Sequence, residues 1–488
     1  MLSVSSPDER EPRPIPTGGS LEFDVANEPG TLLRLRLQNG GAWIAVGRLS
    51  SVGILFLNRI LYARALTPAV FGELMQILSL FTFCAVIANW GLGTFLIRVL
   101  AQNGVGGNPR QSATALTASA FRAGAITTLV VPTIACLLWL GWIHDHHEAL
   151  VTASWILPIL IAAGVFFLAW HQIIAESLRG LHELKWATAF AGPSGGPLVN
   201  SLLAVSLLAI LALDLSLGLT GILAVTVTAF GILTPMAFFV QRAEARQQDA
   251  RFPTPNAPAT PYRSPASWLR GSTTIMLAEA LHVLQGTIDL WLTGTFCSDV
   301  EVGMFAAARQ LAIVCVIPMN LYSLTIISSI PELVARGETN RLSHLLRRAA
   351  GFVTMIAALW LLLIYTFGGE LIPLLFGVQY VDCIPIAITL CLGNLLMIAA
   401  GMSVIVLTVT GHARFVVATG ISGIILQLLV SPWASGLAGA QGIAISTASI
   451  TAGLAIARMI YVTRCLDIHT LAAFPFSVMH AKNEETQQ

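Results

Sequence analysis

Apolar stretches of roughly membrane-spanning length recur along this chain, separated by short polar gaps. They fall at about 42–66, 72–94, 113–142, 151–176, 187–212 and 219–240, then at 268–296, 303–330, 349–367, 383–409, 414–431 and 438–461. Crossing the hydrocarbon core takes about 20 apolar residues. A backbone in lipid must satisfy its own hydrogen bonds, so each stretch predicts a helix. The expected fold is all-α and polytopic, with about twelve transmembrane helices and no separate soluble domain.

The gaps alternate in charge. Twenty of the 26 Lys and Arg lie in every second gap, from Arg10, Arg13, Arg34 and Arg36 before the first stretch to Arg464 and Lys482 after the last. The intervening gaps hold one cation, Arg64. Cations collect on the cytoplasmic side of membrane proteins, so both termini are expected there. Composition agrees, with 55% hydrophobic and 10% charged residues and a mean hydropathy of +0.77. The net charge of +1 identifies no partner, and nothing suggests nucleic acid. The seven Cys are scattered without metal spacing, which predicts reduced structural thiols. The HDHHE run at 144–148 reads as a polar loop rather than a metal site.

The layout predicts a disordered tail over 1–40, in which Leu32 to Leu37 alternate with arginines along the inner leaflet surface. A six-helix bundle over 41–241, a Pro-rich cytoplasmic linker over 242–267, a second bundle over 268–465 and a tail over 466–488 follow. The halves resemble each other. FGELMQILSL and VGMFAAARQLA place Gly72 and Gly303 231 residues apart, and LRGLHELKWATAF and VTGHARFVVATG separate Gly180 and Gly411 equally. Gly221 and Gly442 form a looser third pair. An even number of spans between partners implies equal orientation, hence bundles related by a pseudo-two-fold along the membrane normal, with the site between them.

ILYARALTPAVFGELMQILSL followed by NWGLGTFLIR, ESLRGLHELKWA, TIDLWLTGTFCSDVEVGMFAAARQLA, SIPELVARGETNRLSHLLRRA and LIPLLFGVQY occur in that order over roughly residues 40–465. Together they resemble bacterial polysaccharide flippases of the multidrug/oligosaccharidyl-lipid/polysaccharide exporter (MOP) superfamily. The resemblance implies a transporter of the bacterial inner membrane that moves undecaprenyl-pyrophosphate-linked repeat units by alternating access. It needs no cofactor and works among membrane lipids beside polysaccharide polymerase and chain-length assembly proteins. Coupling to a proton, a cation or the membrane potential stays open.

Five cations sit within the apolar stretches: Arg48, Arg59, Arg122, Arg309 and Arg458. Intramembrane charge is costly, so it faces a cavity or a partner. Arg48 and Arg59 are eleven residues apart and share a face of the first helix, while Glu279, His282, Gly286 and Asp289 form a stripe on the seventh. Guanidinium gives phosphate bidentate hydrogen bonds and stays ionised, which makes Arg48, Arg59, Arg309 and Arg122 the candidate cargo contacts. Neutralisation of Asp289 by Arg59 or Arg309 is the structural alternative. Glu279, Asp289 and His282 are candidates for coupling or for a gate, or else members of static pairs. His171 and Glu176 are weaker candidates, with structural roles expected.

Other classes fit less well. No GxxxxGK[ST] loop is present, so the chain has no ATPase of its own. A membrane-embedded polymerase or ligase would need a large outer loop. An ion-coupled multidrug antiporter of the same superfamily would carry an acid in the first span, where this chain has arginines. A non-transporting assembly protein is the remaining alternative.

Overall fold

The computed structural model describes residues 30–103, 112–146, 156–190, 195–215, 217–251, 264–326, 330, 333–334 and 336–473. Within the described residues each of the twelve apolar stretches is mostly helical. The first half comprises α1 (Gly30–Ala65), α2 (Pro68–Asn89), α3 (Leu92–Asn103), α4 (Ala113–His146), α5 (Ile156–Gly180), α6 (Leu184–Phe190), α7 (Gly196–Ala212) and α8 (Leu219–Arg251). The second comprises α9 (Pro265–Gln285), α10 (Ile288–Phe296), α11 (Asp299–Ile326), α12 (Thr339–Leu375), a 3-10 turn (Val378–Cys383), α13 (Ile384–Ala399), α14 (Ser403–Val409) and α15 (Ala413–Leu466). Among the described residues, eight helices are long and apolar enough to cross a bilayer, or nine with α9 and α10 taken as one bent span.

Helix ends follow local chemistry. Pro68 opens α2 after the extended Thr67, where a missing N–H costs nothing. Trp90 closes it in the left-handed region at φ 54°. The Asp249 carboxylate of α8 caps α4, accepting the Ala113 N–H at 2.6 Å and the Thr114 N–H at 3.1 Å. Both are first-turn donors that lack intrahelical partners.

The 54 residues of α15 are two antiparallel arms. Ala438 and Gly439 leave helical geometry, and only glycine readily takes φ 57° with ψ −138°. Across that turn Gln427 Nε2 donates to Thr447 Oγ1 at 2.7 Å, and the Ser431 and Ser446 hydroxyls pair at 2.9 Å.

Helices before residue 252 pack on one another, α5 against α2, α4 and α8, and α1 against α7. Those after 298 form a second set, α13 against α11, α12 and α15. The main crossing between the sets is α2 on α11, at the Gly72 and Gly303 matched in the sequence. A Cβ on Gly72 would lie 2.6 Å from Gly303 N, and one on Gly303 would strike the Pro68 carbonyl.

The chain departs from the expected layout at several places. Helix α1 begins at Gly30, inside the stretch assigned to the tail, and α8 runs to Arg251, into the linker. Residues 467–473 are docked rather than loose. Thr470 Oγ1 donates to Ala400 O at 2.9 Å, and the Ala473 N–H donates to Arg347 O at 3.1 Å. Gly180 and Gly411 do different jobs: Gly180 packs on Leu100 and Ile97 of α3, whereas Gly411 takes φ 86° in open space. The left-handed residue of the corresponding first-half turn is His182, at φ 63°. Residues 1–29, most of the linker, His147 and Glu148 of the HDHHE run, and 474–488 lie outside the described residues.

The seventh span is not one helix. It breaks between Gln285 and Ile288 with a 48° bend, at a glycine and a threonine whose hydroxyl bonds back to Val283 O. The two pieces keep different company. Helix α9 packs mainly on α2, α3 and α4 of the first set, and also on α15, with Trp90 Nε1 donating to Leu269 O and to Thr273 Oγ1, each at 3.2 Å. Helix α10 packs chiefly on α15 and α11.

Candidate functional site

Helices α1, α2, α10 and α11 enclose a cleft of about 290 Å³. Its walls are mostly apolar, from Leu55 and Phe56 on α1, Leu78 on α2 and Ile313 on α11, and into them project Arg59, Arg309 and Gln310. A larger hollow of about 540 Å³ on the two arms of α15 is lined by residues such as Leu426, Trp433 and Ile450, without a charged group. It has no chemistry for an ionic ligand, so the α1–α11 cleft is the better site.

One end of the cleft is sealed between the two sets. Arg64, exposed at the end of α1, donates through Nε to Leu375 O at 2.9 Å and through Nη2 to Leu374 O, the orphan carbonyls at the end of α12. Gln379 Nε2 and Tyr380 Oη donate to Leu66 O at 3.2 and 3.5 Å. Phe71 meets Tyr380 edge-on at 5.7 Å. The Gly72 and Gly303 crossing lies at the same end. The lone cation of the sparsely charged gaps is thus part of the seal.

The two arginines inside differ in their partners. Arg309 Nε lies 3.6 Å from Asp289 Oδ2, and its Nη2 donates to Gly286 O, a carbonyl freed by the helix break. Asp289 is buried in the first turn of α10, where Oδ1 accepts the Leu290 N–H at 2.9 Å. Arg309 therefore ties the last carbonyl of one half-helix to the first carboxylate of the next. Arg59 has no such match. Its Nη1 reaches Met75 Sδ at 3.2 Å, a weak acceptor, and its guanidinium lies 5.9 Å from the Tyr62 ring. Tyr62 in turn pairs with Thr226 at 3.1 Å. Among the described residues no carboxylate comes within ion-pairing distance of Arg59. Arg59 and Arg309 feel each other electrostatically, so among the described residues two cations line the cleft, and one carboxylate, Asp289, pairs with Arg309 beside it.

The other candidates are elsewhere. Glu279 accepts from Thr94 Oγ1 at 2.8 Å and, with Arg48 and Arg179, lies within electrostatic reach of Glu176. Glu176 pairs with Arg179 at 2.7 Å. These form a second polar cluster, contributed by α1, α3, α5 and α9. The predicted stripe of Glu279, His282, Gly286 and Asp289 is cut by the bend, and Glu279 and Asp289 serve different clusters. His282 is exposed in the last turn of α9. Arg122 is outside the cleft, exposed on α4 in register with Ile126 and Leu129.

His171 packs inside the first helix set. It is fully buried, with Nε2 facing the Phe190 and Gly195 carbonyls at 3.0 Å each and Nδ1 facing Thr234 Oγ1 at 3.3 Å. Sequence reasoning passed over Gln310, a neighbour of Arg309 that lines the cleft, and Arg179, the partner of Glu176 three residues on along the same helix face.

Solved structures that align with this chain include transporters described as MATE or MOP superfamily proteins. An inward-facing multidrug resistance MATE family transporter aligns at a TM-score of 0.68 and 15% identity, over 87% of this chain and 98% of that one. A MOP superfamily transporter from Pyrococcus furiosus, described as having a binding pocket of reverse polarity, aligns at 0.58 and 15%, over 88% and 94%. A MATE transporter of Vibrio cholerae aligns at 0.57 and 14%, over 90% and 98%. No curated protein matches the chain. The family model described as polysaccharide biosynthesis protein matches residues 37–335, more than half the length, and the chain belongs to that family.

Proposed function

We propose that this multi-pass membrane protein is a flippase, not an enzyme, that carries undecaprenyl-pyrophosphate-linked repeat units across the bacterial cytoplasmic membrane by alternating access. The observation that supports this most is Arg59: a cation in an apolar cleft with no carboxylate beside it among the described residues calls for an anionic ligand. A lipid pyrophosphate supplies that charge, and its oxygens match the guanidinium fork. The family and the fold are those of polysaccharide biosynthesis and transport. A drug-cation antiporter would need the opposite sign in this cleft.

Reconstitution tests the reading. In vesicles loaded with fluorescent undecaprenyl-pyrophosphate-linked oligosaccharide, the protein should bring the inner-leaflet label within reach of an external quencher. Movement of cationic dyes without movement of the lipid-linked sugar would favour the antiporter instead.

In this reading both termini are cytoplasmic. On a cysteine-free background, single cysteines at His146 and Val300 should react with an impermeant thiol reagent added outside intact cells, and cysteines at Gln247 and Thr339 should not. The reverse pattern would invert the orientation and put the sealed end of the cleft on the inside.

A further inference from the structure

The Arg309 staple sits at the joint of the bent seventh span. Helix α9 packs mainly on the first set and also on α15, whereas α10 packs chiefly on the second set, so the angle at Gly286 and Thr287 bears on how the halves stand to each other. Arg309 holds that angle from outside the joint, through Asp289 on one side and the Gly286 carbonyl on the other. Among the described residues lining the cleft the charged ones are Arg59, which repels Arg309, and Arg309 itself, while Asp289 reaches Arg309 from beside the cleft.

We propose that Arg309 is a positioning residue that trades its hinge partners for the cargo's anionic headgroup. An anion with two negative charges entering beside Arg59 meets two cations of which only one is compensated. A phosphate oxygen is an equal or better acceptor for guanidinium than a neutral carbonyl, so Arg309 turns toward the headgroup and gives up Gly286 O and Asp289. The freed joint changes its bend, and the α9 set swings against the α10 set. Cargo binding is thereby coupled to rearrangement of the halves, because the ligand favours the form in which Arg309 has left the joint. This rests on the anionic-cargo reading and adds the step by which cargo is sensed. Asp289 is then a displaced counter-ion, and Glu279, in its separate cluster, has no part in the step.

Straightening a 48° bend displaces Leu277, nine residues before Gly286, by roughly 10 Å at 1.5 Å rise per residue. Spin labels at Leu277 on α9 and Leu429 on α15, both exposed, report it by electron–electron distance measurement in lipid nanodiscs. The probes are farnesyl pyrophosphate and inorganic pyrophosphate, with binding followed separately by calorimetry. In the otherwise wild-type protein, farnesyl pyrophosphate should bind and shift the distance distribution by several ångström; a shift with inorganic pyrophosphate alone would show that the headgroup suffices. Arg309→Gln should still bind, more weakly, through Arg59, with no ligand-dependent shift. Asp289→Asn should show part of the shift before ligand is added. Arg309→Lys, which keeps the charge but cannot span both partners, should behave like Asp289→Asn. Binding to the wild type without any shift, or a full ligand-dependent shift in Arg309→Gln, overturns the switch alone. No binding of either probe overturns the anionic-cargo reading and the switch with it.

Discussion

Arg59→Gln is expected to abolish surface polysaccharide in cells that depend on this protein, while its amount in the membrane stays unchanged. Among the described residues this arginine has no ion pair to lose, only a thioether contact and an aromatic neighbour, so removing its charge strands no buried carboxylate there. The loss should therefore fall on cargo. Two charge-assisted hydrogen bonds are worth roughly 3 kcal/mol, which is about 100-fold in affinity for a pyrophosphate lipid. Arg59→Lys should recover part of the export, since it keeps the charge without the fork. Surface polysaccharide measured on gels, with membrane protein quantified by immunoblot, checks both. Export at the wild-type level by Arg59→Gln would exclude Arg59 as a headgroup contact.

Gly303→Ala should have an effect of similar size by another route. The added methyl meets the main chain of Pro68, which cannot turn aside as a side chain would. Overpacking of this kind costs about 1–3 kcal/mol, and here the cost falls on the form in which α2 and α11 touch. The balance should move about tenfold or more toward the form with this end apart. Cysteines replacing Leu66 and Gln379, whose positions adjoin across the seal, should cross-link readily in an otherwise wild-type chain and far less with Gly303→Ala. Transport should fall in parallel. An unchanged cross-linking yield would mean that the helices absorb the methyl without parting. Gly72→Ala should act in the same direction, since its Cβ would sit against Gly303 N and Val302 C.

The spans were legible because a lipid solvent demands long apolar runs and tolerates few other solutions. The turn at Ala438 and Gly439 was legible for the same reason, as a polar gap of spanning rhythm. The break at Gly286 was not. Its neighbours are apolar on both sides, a glycine inside a span is common, and what bends the helix is the company its two pieces keep. That break is also why the helical wheel misplaced Glu279: a stripe projected along a straight axis does not survive a 48° bend. Arg48 and Arg59 lie on the same helix, α1. Eleven residues of rise, roughly 16 Å, nonetheless put them in different clusters. Residue type alone marked Arg59 and Arg309 as functional. Which of them was already engaged could not be read before Asp289 and Gly286 were seen beside Arg309.

The seal at the Arg64 end relies on main-chain oxygens. Leu66, Leu374 and Leu375 offer carbonyls, and any residue offers the same carbonyl in the same place. Substitutions at these acceptor positions leave the acceptors intact, whereas Arg64, Gln379, Tyr380, Phe71 and the Gly72 and Gly303 crossing are bound by residue identity. The polar half of the gate is thus indifferent to drift at its acceptor positions. The walls of the cleft can then be rewritten for a different sugar without re-engineering the closure that every cargo needs.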